Sequence, residues 1–229
     1  MTVDLNCDMG ELPDAAHEAA LMEYITSANV ACGGHAGDEA TMERTIRLAL
    51  DRGVRIGAHP GYPDRENFGR LEMPLSQLEI EQTVREQIER LEAVAKHCGA
   101  TIGHIKAHGA LYNVAARDEP VARAIGAAAA RWNPRAVLFG LAGSRALEVW
   151  RGMGLKVVAE GFADRRYEAD GSLRSRRLPG ALITDPAEAA AQAVQLASQG
   201  WTQTICVHGD TPGAVAILKA CREALARSR

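Results

Sequence analysis

The chain has 229 residues, with 26 basic against 29 acidic side chains, a formal charge of −3 and a pI near 6.2. That balance excludes the basic footprint of a nucleic-acid or anionic-membrane binder, and 4 % aromatics exclude a base-stacking platform. No apolar run approaches the roughly 18 residues that span a bilayer. Met1-Thr2-Val3-Asp4 lacks a signal-peptide pattern, and the five cysteines (Cys7, Cys32, Cys98, Cys206, Cys221) are an odd, scattered set without a C-x-x-C pair. The expectation is a cytoplasmic protein with free thiols, in one domain over residues 1–229.

In chain order, short β-rich runs alternate with longer helical patterns. Strands are predicted at 3–7, 28–32, 54–58, 102–107, 136–141, 156–160 and 204–207. Helices are predicted over 14–25, 38–52, 76–98, 115–131, 144–152, 186–199 and 212–227. In the second helix Met42, Ile46 and Ala49 recur every three to four residues before Gly53 stops it; in the third, Leu78, Val84, Ile88, Leu91 and Ala95 do so before Gly99. Residues 162–179 break the rhythm: Asp170-Gly171 is a turn signal among five arginines (Arg165, Arg166, Arg174, Arg176, Arg177), read as a hairpin excursion. Alternating strands and helices imply a parallel sheet, which a closed seven-stranded barrel or an open doubly wound sheet would satisfy.

Parallel strands point their C-termini to one side, the side on which α/β folds build their sites. His35, His59, His104, His108 and His208 lie in or just after strands, whereas His17 and His97 fall in helices and are expected at the surface. The acids follow the same rule: Asp8 and Glu11 after the first strand, Asp38 and Asp64 after the second and third, Glu160 ending the sixth, Asp210 after the seventh. Period-2 parity puts Asp4, Asn6 and Asp8 on one face of the first strand and His104, Lys106 and His108 on one face of the fourth. Each histidine taken singly reads as a structural residue; convergence from five strands argues for a site.

Glycine turns follow several of these strands: Cys32-Gly33-Gly34-His35-Ala36-Gly37-Asp38, His59-Pro60-Gly61-Tyr62-Pro63-Asp64 and His208-Gly209-Asp210-Thr211-Pro212-Gly213. Their amides suit a carboxylate or oxyanion, although tight βα turns alone explain each one. The chain contains no G-x-x-x-x-G-K-[ST], G-x-G-x-x-G or G-x-S-x-G, which argues against a phosphate loop, a Rossmann dehydrogenase and an α/β-hydrolase. Two readings of the chemistry stand side by side. Asp8, His35 and His59 form an open site for a divalent, water-activating metal, or a carboxylate–histidine base works with Lys106 as electrophile and no metal.

Six blocks in this order carry a resemblance over essentially the whole chain. They are Asp4-Leu5-Asn6-Cys7-Asp8-Met9-Gly10-Glu11, Ser27-Ala28-Asn29-Val30-Ala31 running into the first glycine turn, and Ile56-Gly57-Ala58 running into the second. His104-Ile105-Lys106-Ala107-His108-Gly109-Ala110-Leu111-Tyr112-Asn113, Phe162-Ala163-Asp164-Arg165 and Cys206-Val207 with the third glycine turn complete the set. Together they resemble the LamB/YcsF family. The resemblance implies a seven-stranded (β/α) barrel similar to glycoside hydrolases and deacetylases. It further implies ATP-dependent opening of 5-oxo-L-proline to L-glutamate, with ATP as co-substrate of a complex containing 5-oxoprolinase subunits B and C.

On that footing the candidate catalytic residues are Asp8, His35, His59, Lys106, His108 and His208; the substrate-binding candidates are Asn6, Glu11, Asp38, Glu160, Arg165 and Asp210. The family pattern is broken at three places. Leu12-Pro13-Asp14 runs directly into a helix where an aromatic-containing stretch is usual; Gly34 and Ala107 replace a bulkier residue and a proline; the connection before the last strand is short. A wider pocket or an altered partner surface is the expectation there. Two other functions stand beside this one: a metal-dependent amide or sugar deacetylase, which a stoichiometric ion would favour, and a non-catalytic subunit that only binds and delivers substrate.

Overall fold

A computed structural model describes residues 3–228. Its strands are β1 (Asp4–Met9), β2 (Ser27–Ala31), β3 (Arg55–His59), β4 (His104–Lys106), β5 (Val137–Leu141), β6 (Lys156–Phe162) and β7 (Thr204–Cys206). All pair in parallel, in sequence order, and β7 returns to β1 to close a barrel. Of the two architectures compatible with the alternation, the closed one is realised. Among the described residues no helix is long and apolar enough to cross a membrane, and all five cysteines are free thiols.

The helices are α1 (Ala15–Met22), α2 (Glu39–Arg52), α3 (Gln77–His97), α4 (Gly109–Ala115), α5 (Glu119–Trp132), α6 (Arg145–Gly152), α7 (Pro186–Ser198) and α8 (Ala214–Arg227). Most begin on local chemistry. Asp14, Asp38, Asp118 and Asp185 each accept a backbone N–H of the first turn, and Ser76 and Glu79 form a reciprocal capping box. Gly53 ends α2 at φ 64°, a left-handed conformation that suits glycine. The helix expected over 115–131 begins at Glu119 instead, because Asp118 caps it and Pro120 lies in its first turn, and residues 109–115 wind a separate short helix that was not expected. Along α3 the inward face runs through Ile80, Val84, Ile88, Leu91 and Ala95; Leu78, expected on it, is 71 % exposed because it lies on the opposite side of the first turn.

Alternation along the strands builds a polar lumen. Asp4, Asn6 and Asp8 alternate with the buried Leu5, Cys7 and Met9, and the register sets Asn6 beside Cys206 and Ser27, Asp8 beside Asn29, and Lys106 beside Phe139. A barrel filled by branched aliphatics needs no such groups; here each buried polar side chain must find a partner inside. Gly57 makes room for this arrangement, since a Cβ there would stand 2.1 Å from His104 Nε2. Gly57→Ala is expected to cost about 1–3 kcal/mol through overpacking, read as a lower melting temperature. The excursion after β6 does form a small antiparallel hairpin, with bridges Arg165–Leu182 and Tyr167–Leu173.

Candidate active site

At the C-terminal side of the strands a cavity of about 1010 Å³ opens, with Asp8, His59, Lys106, His108, Arg165 and His208 in its wall. Lys106 is one of its buried cations. The ammonium lies 2.9 Å from Asp8 Oδ1 and 3.0 Å from Glu160 Oε1, with Cys206 Sγ at 3.1 Å. Burial opposes the charge, but Asp8 foremost, then Cys206 and Glu160, hold its pKa well above that of a free lysine. Glu160 is fixed in turn by Asn6 Nδ2 (2.9 Å) and the Tyr112 hydroxyl (2.7 Å), both donating.

Asp8 stays ionised despite complete burial, because His59 and Lys106 hold its pKa well below the usual carboxylate range. Asn29 Nδ2 donates to Asp8 Oδ1 and to Asn6 Oδ1, each at 2.8 Å, and Asn29 Oδ1 accepts His104 Nε2–H at 2.8 Å. His104, stacked on Phe139 at 4.1 Å, thus orients the amide that orients Asp8. Burial depresses its pKa to about 3. An unfolded histidine titrates near ~6.5, so below that pH the unfolded chain takes up a proton that the folded one refuses. The stability lost is at most ~1.4 kcal/mol per pH unit between those two values. Urea midpoints are therefore expected to fall between pH 7.5 and 5, and less steeply in His104→Gln.

On one flank Glu11 Oε1 sits among three imidazoles: His35 Nε2 at 2.9 Å, His108 Nδ1 at 3.0 Å and His59 Nε2 at 3.5 Å. His35 and His108 stack with ring centroids 3.6 Å apart. Burial and then His108 depress the pKa of His35 to about 3; His59 is shifted upward, since Asp8 and Glu11 outweigh its burial. One ligand atom from each of Glu11, His35, His59 and His108 lies within 4.8 Å of the others, a group able to hold a metal. The group holds His35 and His59 of the expected set together with Glu11 and His108; Asp8 stands at its edge, with Oδ1 on Lys106 and Asn29 and Oδ2 3.4 Å from His59 Nε2. Phe68, a non-glycine residue at φ 56°, places its carbonyl 2.9 Å from His108 Nε2 and its ring edge-on to His35 and His108.

On the opposite flank His208 Nδ1–H donates to Asp164 (3.0 Å to Oδ2), whose carboxylate also accepts the His208 amide at 3.0 Å and the Thr211 hydroxyl at 2.6 Å. Asp164 is fully buried, yet His208 and Thr211 bring its pKa down to about 2. The tautomer so fixed leaves His208 Nε2 as the basic nitrogen. A ring nitrogen of His208, a carboxylate oxygen of Asp8 and Cys206 Sγ lie within 4.8 Å of one another. Arg165 is buried with its Nε unpartnered; burial and then Arg176 lower its pKa to about 10. Such a guanidinium calls for an anionic ligand.

Two expected site residues stand apart. Asp38 is an exposed N-cap of α2, accepting Thr41 N–H at 2.8 Å, because the turn from His35 carries the chain outward before the helix starts. Asp210 pairs with Arg70 and Arg176 at the rim. His97 is exposed as expected, but His17 is half-buried with Nε2 donating to Gly209 O at 2.9 Å. The space beside Gly34 is not added to the pocket: a Cβ there would meet Gln87 Oε1 at 2.3 Å, and Gln87 is held by Gly61 N–H and C=O. Asp164, Asn29, Tyr112 and Phe68 join the site without having been singled out from the sequence.

Known proteins resemble this chain at two levels. The barrel is shared with a T48 deacetylase solved with substrate, at 15 % identity and a TM-score of 0.51 over 99 % of this chain and 85 % of that one, which speaks to fold alone. A lactam utilization protein from Thermus thermophilus superposes with a TM-score of 0.92 at 40 % identity, covering 99 % and 97 % of the two chains. A curated relative from Chloroflexus aggregans, named as the A subunit of 5-oxoprolinase, is 47 % identical over 98 % of this chain and 95 % of its own length. The LamB/YcsF family model matches residues 3–229, and this chain belongs to that family.

Proposed function

We propose that this chain is the A subunit of a 5-oxoprolinase and that its pocket carries the ring-opening step, 5-oxo-L-proline to L-glutamate, coupled to ATP hydrolysis. The relatives' shared name supports the assignment. The observation that carries the chemistry is the placement of an ionised Lys106 beside Asp8, with the Asp164-oriented His208 within reach of that same carboxylate. A lactam resists water through amide resonance, and phosphorylation on its oxygen makes the carbonyl carbon electrophilic. His208 Nε2 takes a proton from water as the oxygen attacks that carbon. Lys106 meets the developing oxyanion. The ring C–N bond then breaks, the nitrogen, protonated by the histidine, becomes the α-amino group, and the γ-acyl phosphate left at C5 is hydrolysed by a second water to glutamate and orthophosphate. Arg165 holds the substrate carboxylate.

Glu11, Asn6 and Glu160 set the charges around the reacting atoms, and Asp210 keeps Arg70 and Arg176 at the mouth. The chain has no phosphate loop, so ATP falls to the partner subunits B and C. The cavity exceeds what a five-membered lactam acid fills, which suits a bulkier activated form. The complex works in the cytoplasm, in keeping with five free thiols. Mixing the chain with both partners, ATP and 5-oxo-L-proline is expected to release glutamate, and omitting the chain to abolish release. Undiminished release from the two partners alone would overturn the proposal.

A further inference from the structure

The Glu11 cluster poses a question of hydrogen-bond accounting that the proposed reaction leaves open. His59 Nδ1 lies 2.8 Å from the Lys106 carbonyl and His108 Nε2 lies 2.9 Å from the Phe68 carbonyl. A carbonyl only accepts, so each of these nitrogens carries the proton. In the neutral rings, His59 Nε2 and His108 Nδ1 are therefore bare, and they face each other at 3.0 Å. Both also face Glu11 Oε1, at 3.5 and 3.0 Å. These three lone-pair donors converge with no N–H or O–H between them, and Asp8 Oδ2 adds a fourth 3.4 Å from His59 Nε2. All three side chains are nearly inaccessible, at 1 %, 5 % and 6 % exposure for His59, His108 and Glu11, so bulk water does not relieve the repulsion.

A proton lies along one edge of this triangle at a time, whereas a cation at its centre satisfies all three edges together. The edges of 3.0–3.5 Å are those of a coordination polyhedron with bonds of about 2.0–2.2 Å. The outer partners have the form such sites require: each ring donates its far N–H to a backbone carbonyl, which locks the tautomer and aims the lone pair inward. The left-handed backbone of Phe68 gives a reason for the strain, since it delivers the carbonyl that fixes His108. His35 Nε2–H, 2.9 Å from Glu11 Oε1, steadies the carboxylate in the same way.

We infer that Glu11 Oε1, His59 Nε2 and His108 Nδ1 form a site for one divalent first-row transition ion, with His35 as a positioning residue. The ion is of the zinc class, because two imidazoles and one carboxylate suit borderline cations rather than calcium or magnesium. His59 and His108 line the cavity, so the remaining coordination position opens toward it. The inference deepens the proposed function by adding a Lewis-acidic group to the same pocket, toward a carbonyl or phosphoryl oxygen of the ligand.

Cobalt(II) is a coloured probe for this class. The purified chain, stripped with a chelator and shown folded by circular dichroism, is titrated with cobalt(II) and followed by visible absorption. One equivalent is expected to bind and develop ligand-field bands. His108→Ala and Glu11→Gln are expected to weaken binding by at least ~100-fold, and His97→Ala at the exposed surface to leave it unchanged. A folded wild-type chain that binds no cobalt, or bands that survive in a folded His108→Ala chain, would overturn the site and leave a shared proton as the positive centre. The titration reads ion binding on the chain alone, so it is decided independently of turnover in the reconstituted complex.

Discussion

His208→Ala is expected to lower glutamate release by the reconstituted complex by roughly 10²–10⁴-fold, with unchanged assembly. The reason lies in the geometry of the Asp164–His208 pair. Asp164 takes the Nδ1 proton, so the ring presents Nε2 as a base, and the carboxylate is kept ionised for that role by the histidine and the Thr211 hydroxyl. Asp164→Asn keeps the shape but removes the charge, and its amide N–H can turn the ring to the wrong tautomer. A loss within the same range is expected, in kcat rather than KM, because substrate contacts are untouched. His97→Ala serves as the control. Unchanged kcat in an assembled His208→Ala complex would favour the delivery-only role.

Lys106→Met carries the second large effect, on stability as well as turnover. The ammonium is the shared partner of two buried carboxylates, and removing it leaves Asp8 and Glu160 facing each other without a cation. Breaking a buried pair from one side costs about 3–5 kcal/mol, which for a chain of this length lowers the melting temperature by on the order of 10 °C. The sign of the pH dependence is distinctive. Without the lysine, one of the groups that holds the Asp8 pKa down, Asp8 takes up a proton more readily in the folded state, so the deficit relative to wild type is expected to shrink from pH 7 to pH 5. Turnover is expected to fall roughly 10²–10³-fold through loss of oxyanion stabilisation. A deficit that does not change with pH would contradict the ion-pair account.

The fold and half of the site were legible in residue order for a simple reason. Strand parity is strict, so Asp4, Asn6 and Asp8, and then His104, Lys106 and His108, had to share faces; parallel pairing then had to bring their ends together. What parity does not convey is partnership. Asp164 and His208 are 44 residues apart and meet only because β6 and β7 are neighbours in register, Phe162 beside Cys206. Asn29 and Tyr112 are neutral groups whose importance comes from the charges they contact. Phe68 acts through its carbonyl and a left-handed backbone, which its identity as a phenylalanine conceals. A carboxylate after a glycine turn is also the signature of a helix cap, and Asp38 is the N-cap of α2.

The most direct measurement is the yield of glutamate and ADP from 5-oxo-L-proline, for the chain alone and for the chain reconstituted with the two partner subunits proposed for it. One ADP is expected for each glutamate released by the complex, and no glutamate from the chain alone, with or without ATP. Glutamate produced by the chain alone without ATP would contradict the account.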